Sequence, residues 1–255
     1  MSVKAGDRIA VWFSNGAASA VALKRTLELY GDICEVRVLN NPILEEDPDN
    51  RRFLKDVEKW LGVSAESVIH PKFPHCSCVK VWQKRKYMSG IEGAPCTMVL
   101  KKEARQIWES KNPHEWLVMG FTVEELQRHQ DFKLTERDNI LPVLINAGLT
   151  KEDCFEIIDQ AGIRLPLSYL LGFANANCIG CVKATSPTYW NHVRKHYPKV
   201  FRARAKQSRK LGARLVRYKG KRIFLDELPK DAKGRDMKIF KMPECGLFCG
   251  EKIKR

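Results

Sequence analysis

The apolar run Ile9–Phe13 is short and unbroken, and Ser14-Asn15-Gly16 ends it before a stretch of strong helix formers from Ala17 to Tyr30. That pattern predicts a buried strand, a tight turn of small residues and a helix. Ile33–Leu39 alternates and reads as a second strand. Pro48 and Asp49 open a helix to Trp60 with Phe53, Leu54, Val57, Trp60 and Leu61 on one face, and Gly62 stops it. Ser67–His70 reads as a third strand, Trp116–Met119 as a fourth ending in Gly120, and Ile140–Ile145 as a fifth extended segment. Pro71–Pro95 is irregular and reads as a long loop, interrupted by a short helix, over the mouth of the site; Thr97–Trp108 is helical. Thr150 with Asp153 three positions on resembles a capping box, and the helix behind it ends near Gly162.

Strands alternating with helices predict an α/β fold: a doubly wound (Rossmann-like), mostly parallel sheet with helices on both faces. Ligands of such sheets bind at the C-terminal ends of the strands, where the Ser14–Ser19 loop falls. A turn of small residues running into a helix start gathers free N–H groups and a positive dipole end, which suits phosphate or sulfate. An ordinary strand-to-helix turn would look the same.

From Asn177 the pattern changes. Ser186-Pro187 and Pro198 start two helices, the second closed by Gly212, and Arg214–Tyr218 and Arg222–Leu225 flank Lys219-Gly220-Lys221 as a basic hairpin. The expected division is an α/β domain over 1–176 and a basic, helical and hairpin extension with a cysteine-bearing tail over 177–255.

Charge sharpens that division. The net charge of the 255 residues is +15, and Lys183–Phe224 holds 14 Lys/Arg with no Asp or Glu. A local block of this size suggests a polyanionic partner, against the plainer reading of a solvated helical face. Trp190, Tyr197, Phe201 and Tyr218 interleave with the charges, as base stacking would require, although Trp190, Val193, Tyr197 and Phe201 also follow the helical spacing of a core. Arg202, Arg204, Arg209 and Lys210 are the nucleic-acid-binding candidates. No run approaches the ~18 apolar residues of a membrane span and the first residues lack a signal-peptide core, so the expected setting is cytoplasmic with no membrane partner.

Nine cysteines in such a setting point to metal or catalysis rather than disulfides. Cys178 and Cys181, in CxxC spacing, with Cys245 and Cys249 can make a thiolate site for zinc or an iron–sulfur cluster; a pair of buried free thiols is the alternative. Cys96 precedes a helix start, where backbone amides favour thiolate. Cys34 and Cys154 read as core, and Cys76 and Cys78 beside His75 as an exposed or reactive loop pair with metal binding as the lesser alternative.

Several local matches together resemble one family. Ser14-Asn15-Gly16-Ala17-Ala18-Ser19 is similar to the S-x-G-x-x-S phosphate loop of the adenine-nucleotide alpha-hydrolase (PP-loop) superfamily. Asp49–Gly62, Pro95-Cys96-Thr97-Met98-Val99-Leu100-Lys101, the block Asn139–Cys181 and the tail Pro243-Glu244-Cys245-Gly246-Leu247 resemble, in order, segments of the phosphoadenylyl-sulfate (PAPS) reductase family within it. The spacing W-x-x-x-R-x-x-x-P-x-x-F from Trp190 resembles nucleic-acid-modifying relatives. Asn15 and Ala18 stand where ATP-cleaving members have an acidic residue and a second glycine.

The resemblance implies that Ser14, Asn15, Gly16, Ala17, Ser19, Gly120 and Lys101 bind an adenine nucleotide or sulfonucleotide. It implies a cluster, 4Fe-4S in type, on Cys96, Cys178, Cys181 and a fourth ligand such as Cys249, with zinc as the alternative metal. Cys245 would be the nucleophile that reduces an adenylyl-sulfate. The alternative is ATP-dependent sulfur transfer to tRNA or DNA, and a second alternative is a non-catalytic, zinc-stabilised nucleic-acid-binding module. Either enzyme reading requires an electron- or sulfur-donor protein, whose identity is unknown.

Overall fold

The computed structural model describes residues 2–90 and 93–237. Five strands, β1 (Arg8–Trp12), β2 (Glu35–Asn40), β3 (Glu66–Ser67), β4 (Trp116–Val118) and β5 (Ile140–Leu141), form one all-parallel sheet in the order β3-β2-β1-β4-β5. Their short apolar runs, buried on both faces, are what a covered parallel sheet requires. Ile9, Val11 and Phe13 point into one core with α1 (Ala17–Tyr30), α2 (Asp49–Leu61) and α8 (Lys151–Gln160). Ala10 and Trp12 point into another with Ala104, Trp108 and Phe121. Period-two alternation along β1 thus dresses both faces of the sheet, the arrangement of a doubly wound fold.

The remaining helices follow in order: α3 (Cys78–Arg85), α4 (Pro95–Thr97), α5 (Ala104–Glu109), α6 (Leu126–Thr135), α7 (Val143–Asn146), α9 (Leu167–Leu170), α10 (Pro187–His196) and α11 (Pro198–Lys210). Between α4 and α5 the chain winds as a π-helix over Met98–Glu103. Thr150 and Asp153 make a reciprocal capping box on α8. The fifth extended segment stops at Leu141 because Pro142 offers no N–H to the ladder and Val143 begins α7. The third strand ends at Ser67, although the Val68 N–H still donates to Asn40 O at 2.7 Å.

A third core joins distant parts of the chain. Phe73, Cys78, Val81, Trp82, Met88, Val99 and Leu100 pack with Phe173, Ile179, Val182, Trp190, Val193 and Phe201, and with the hairpin β6 (Val216–Tyr218) and β7 (Lys221–Ile223) through Val216. The C-terminal module and the 73–100 segment therefore share one interior. Among the described residues no helix is long and apolar enough to cross a membrane.

Candidate functional site

The Ser14–Ser19 loop is closed by its own side chains. Ser19 Oγ accepts from Ser14 N–H at 3.1 Å and from the Ser14 hydroxyl at 3.1 Å, and donates to Gly16 O at 2.9 Å. Asn15 turns the chain in the left-handed region (φ 59°), which its short polar side chain tolerates. Asn40 Nδ2 fixes it by donating to Asn15 Oδ1 (3.0 Å) and Phe13 O (2.7 Å). The α1 start has no side-chain cap and no acidic residue in its first turn, so its positive end faces the loop. Gly120, just past β4, packs directly against the start of α1: a Cβ there would lie 2.6 Å from Ser19 N. β1 and β4 flank the point where strand order reverses, the usual place for a nucleotide.

Two residues at this loop were not foreseen. Tyr169 brings its hydroxyl to the backbone amides of Ala17 and Ala176, and burial pushes its phenol up to about 12. The missing side chain of Gly16 leaves room for that hydroxyl, which would sit 3.1 Å from a Cβ. Glu46, its side chain 7% exposed, accepts from Asn15 Nδ2 (3.4 Å) and Asn50 Nδ2 (3.3 Å) and pairs with Lys101 Nζ at 3.6 Å. Burial raises the Glu46 carboxyl, and Lys101 and the two amides partly offset it.

Lys101 sits in the π-helical stretch, a distortion that often marks functional positions. Burial alone would lower its ammonium; Glu46, then the thiols of Cys178, Cys78 and Cys181, hold it up instead. One cation thus pairs with the phosphate loop's partner and is held charged in part by the thiols.

That group of thiols contains Cys178 and Cys181 of the CxxC, Cys96, and also Cys78. Cys78 Sγ lies 4.0 Å from Cys178 Sγ. Contacts with Cys178 and then Cys96, with burial, push the Cys78 thiol up. The Cys78 thiol, and then the Trp82 indole, the Thr97 N–H and Lys183, hold Cys96 below the usual thiol range against the pull of burial. The buried Trp82 N–H makes no hydrogen bond of standard geometry, and the Cys96 sulfur is the acceptor it approaches.

Glu45 organises both halves of this group. Its carboxylate accepts from Ser77 Oγ (2.7 Å) and from the N–H groups of Cys78 (2.7 Å) and Val79 (3.2 Å), capping α3. Its carbonyl accepts from Ile179 N–H at 2.9 Å, inside the CxxC. Tyr189 Oη accepts from Cys181 N–H (2.9 Å), and Arg204 Nε donates to Gly180 O (3.2 Å).

Four thiols are the donor chemistry of a zinc or iron–sulfur site. A tetrahedral zinc with ligands at about 2.3 Å separates its sulfurs by about 3.8 Å, close to the Cys78–Cys178 approach, whereas a cubane cluster would spread them. Among the described residues no three His, Cys, Asp or Glu side chains close around a single metal position. The donor set fits a metal by its chemistry.

The other expected residues are dispersed. Cys245 and Cys249 lie outside the described residues. Cys154 is core, whereas Cys34 is half-buried with its thiol on Lys4 O. Arg204 is 4% exposed and stacks on Trp82 at 4.6 Å, so it is packing rather than a surface contact. Arg209 is paired with Asp226 and Glu227, while Arg202 and Lys210 are exposed. Trp190 and Phe201 are core, and Tyr197 donates to Asp47 Oδ2 at 2.5 Å, which removes three of the four aromatics from base stacking. A cavity of about 360 Å³ lies at the opposite edge of the sheet, but Arg8, Arg105, Arg137, Glu109, Glu115 and Glu136 there are paired with one another. No protein-family model matches this chain, and no curated protein is similar enough to match it.

Proposed function

We propose that this chain is an adenine-nucleotide enzyme of sulfur chemistry, with reduction of an adenylyl-sulfate as the first choice. What carries the reading is the chain of polar contacts from the Ser14–Ser19 loop through Asn15 and Glu46 to Lys101, whose ammonium the thiols of Cys178, Cys78 and Cys181 help to hold charged. In it the loop amides and the Ser14 and Ser19 hydroxyls hold the nucleotide phosphate, Gly120 lets β4 abut the first turn of α1 that presents those amides, and Lys101 faces the anionic sulfo group. Cys245 attacks the sulfur: an S–S bond forms, the S–O bond to phosphate breaks, and the electron pair leaves with the nucleotide. A dithiol donor then reduces the thiosulfonate, becomes a disulfide and releases sulfite. A bound 4Fe-4S cluster on Cys96, Cys178, Cys181 and a fourth thiol, Cys78 or Cys249, would tune the electrostatics of the site, with Lys101 supplying the positive charge toward the sulfo group. Zinc is the alternative metal, and a cytoplasmic setting that keeps thiols reduced belongs to the same reading.

The test is sulfite release from adenylyl-sulfate and from PAPS with a dithiol reductant, using protein purified without oxygen. Brown protein whose turnover is lost in Cys245→Ser supports the reading; full turnover in that variant removes Cys245 as nucleophile. Colourless, zinc-loaded protein without turnover leaves the non-catalytic binding module. A second reading, ATP-dependent sulfur transfer to nucleic acid, is favoured by one observation: 13 of the 14 cations in the basic block have no carboxylate partner among the described residues.

A further inference from the structure

The basic block differs from the rest of the molecule in how its charges are used. Outside it, nine of the eleven described arginines are in ion pairs: Arg8, Arg25, Arg37, Arg52, Arg85, Arg105, Arg128, Arg137 and Arg164. Inside it, only Arg209 of seven is. No other cation of the block is in an ion pair with a described carboxylate.

Like charges are moreover set at nearest-neighbour spacing. Arg202, Lys206 and Lys210 are exposed at i, i+4 and i+8 on α11, opposite its buried face of Phe201, Ala205 and Ser208. In the hairpin Arg217 pairs directly across from Arg222, and Lys221 is beside it. Both arrangements cost stability unless an anion lies over them. The two are contiguous, because the Phe224 ring following β7 lies under Arg209 at 4.0 Å and Arg214 at 5.3 Å.

What the surface lacks identifies its partner. Of the large apolar side chains exposed on the described residues, none falls between 183 and 224. Unpaired bases would need several aromatic platforms, of which the block keeps only the half-buried Tyr218 with Lys219 over its ring; a membrane surface would need an apolar helix face, and a protein partner would need an apolar interface core. Phosphates of a duplex need only cations.

We propose that α11 and the β6–β7 hairpin form a docking surface for double-stranded nucleic acid, read through its phosphates rather than its bases. The proposal deepens the sulfur-transfer reading by naming its acceptor as a duplex. The surface also meets the thiols, since Arg204 on the buried side of α11 holds the CxxC carbonyl of Gly180.

The test is equilibrium binding of the full chain, without nucleotide or turnover, to a DNA duplex and an RNA duplex of about 20 base pairs, a (dT) strand of equal length and phosphatidylserine vesicles. Failure here leaves the turnover test standing, and failure of turnover leaves this result standing. With ~6 phosphates engaged, log affinity should fall against log salt with a slope of about −5. Arg202→Ala/Lys206→Ala/Lys210→Ala and Arg217→Ala/Lys221→Ala/Arg222→Ala should each weaken duplex binding at least about tenfold and flatten the slope by about 3, with unchanged circular dichroism. Whichever duplex binds more tightly names the source. Absent or salt-insensitive duplex binding, tighter binding of the (dT) strand, equal capture of vesicles, or folded variants with unchanged affinity would each overturn the proposal.

Discussion

Cys78 and Cys178 stand 100 positions apart in the chain and bring their sulfurs to 4.0 Å, joining the segment over the sheet to the CxxC of the C-terminal module. If the thiols serve a metal, Cys78 is part of the set and its neighbour Cys76, whose carbonyl merely accepts from Leu44 N–H, is not. Cys78→Ala should lower metal affinity by about tenfold or more in a chelator competition, and Cys76→Ala should leave it unchanged. Equal retention by both variants would remove Cys78 from the site.

Glu45 touches no sulfur yet fixes two of the segments that carry them. Glu45→Ala should uncap α3, at about 1–2 kcal/mol, while the backbone bond from Ile179 N–H to its carbonyl stays. A purely structural role would move only the melting temperature. A positioning role also weakens metal binding about 10–100-fold with every thiol present, as loss of a supporting residue does, and Glu45→Gln should recover part of both.

The strand–turn–helix unit and the capping box at Thr150 were legible because their signals are local: a break in hydrophobic period, small residues, a donor and acceptor three apart. Cys78 was not. Its spacing from Cys76 and His75 reads as an exposed loop, and what buries it is a carboxylate cap from Glu45, 33 positions upstream, on a helix the sequence marked only loosely. Arg204 misled in the opposite direction. A cation amid cations reads as surface, but its guanidinium lies over Trp82 and donates to Gly180 O, partners that only the tertiary packing supplies. Lys101 came from the resemblance alone, since its pairing with Glu46 depends on a π-helical stretch with no sequence period of its own.

Asp49 gives the fold an acid limit. Burial would raise its carboxyl, but Arg52 (2.7 and 2.8 Å), the Leu167 N–H (2.8 Å) and Arg164 (3.4 Å) hold it below the usual aspartate range. A depressed folded value means that the stabilisation is complete above the unfolded pKa of about 3.9 and disappears as pH falls through the folded value. These bonds tie α2 to the segment leading into Tyr169, so acid should loosen the phosphate loop's support. Asp49→Asn should cost about 1.5–3 kcal/mol at pH 7 and less below pH 4, so denaturant curves of variant and parent should approach each other in acid. A gap independent of pH would show that the charge on Asp49 is immaterial.

Gly120 tests whether the crevice between β1 and β4 is the nucleotide site. A Cβ at this position would meet Ser19 N at 2.6 Å and Ala18 C and Ser19 Cα at 2.8 Å, all backbone atoms that no side-chain rotation can clear. Gly120→Ala must therefore push the first turn of α1 away from β4, at about 1–3 kcal/mol, and displace the N–H groups that would face a phosphate. Gly148→Ala is the matched control: its φ of +68° makes alanine costly by about 1–2 kcal/mol, but nothing lies within 4 Å of the added carbon and the loop is untouched. Both variants should melt lower than the parent. Only Gly120→Ala should weaken nucleotide binding in calorimetric titration with adenylyl-sulfate or ATP, by about tenfold for each 1.4 kcal/mol of lost contact. If Gly120→Ala melted lower and still bound nucleotide like the parent, the Ser14–Ser19 loop would be a structural turn and the nucleotide would have to bind elsewhere.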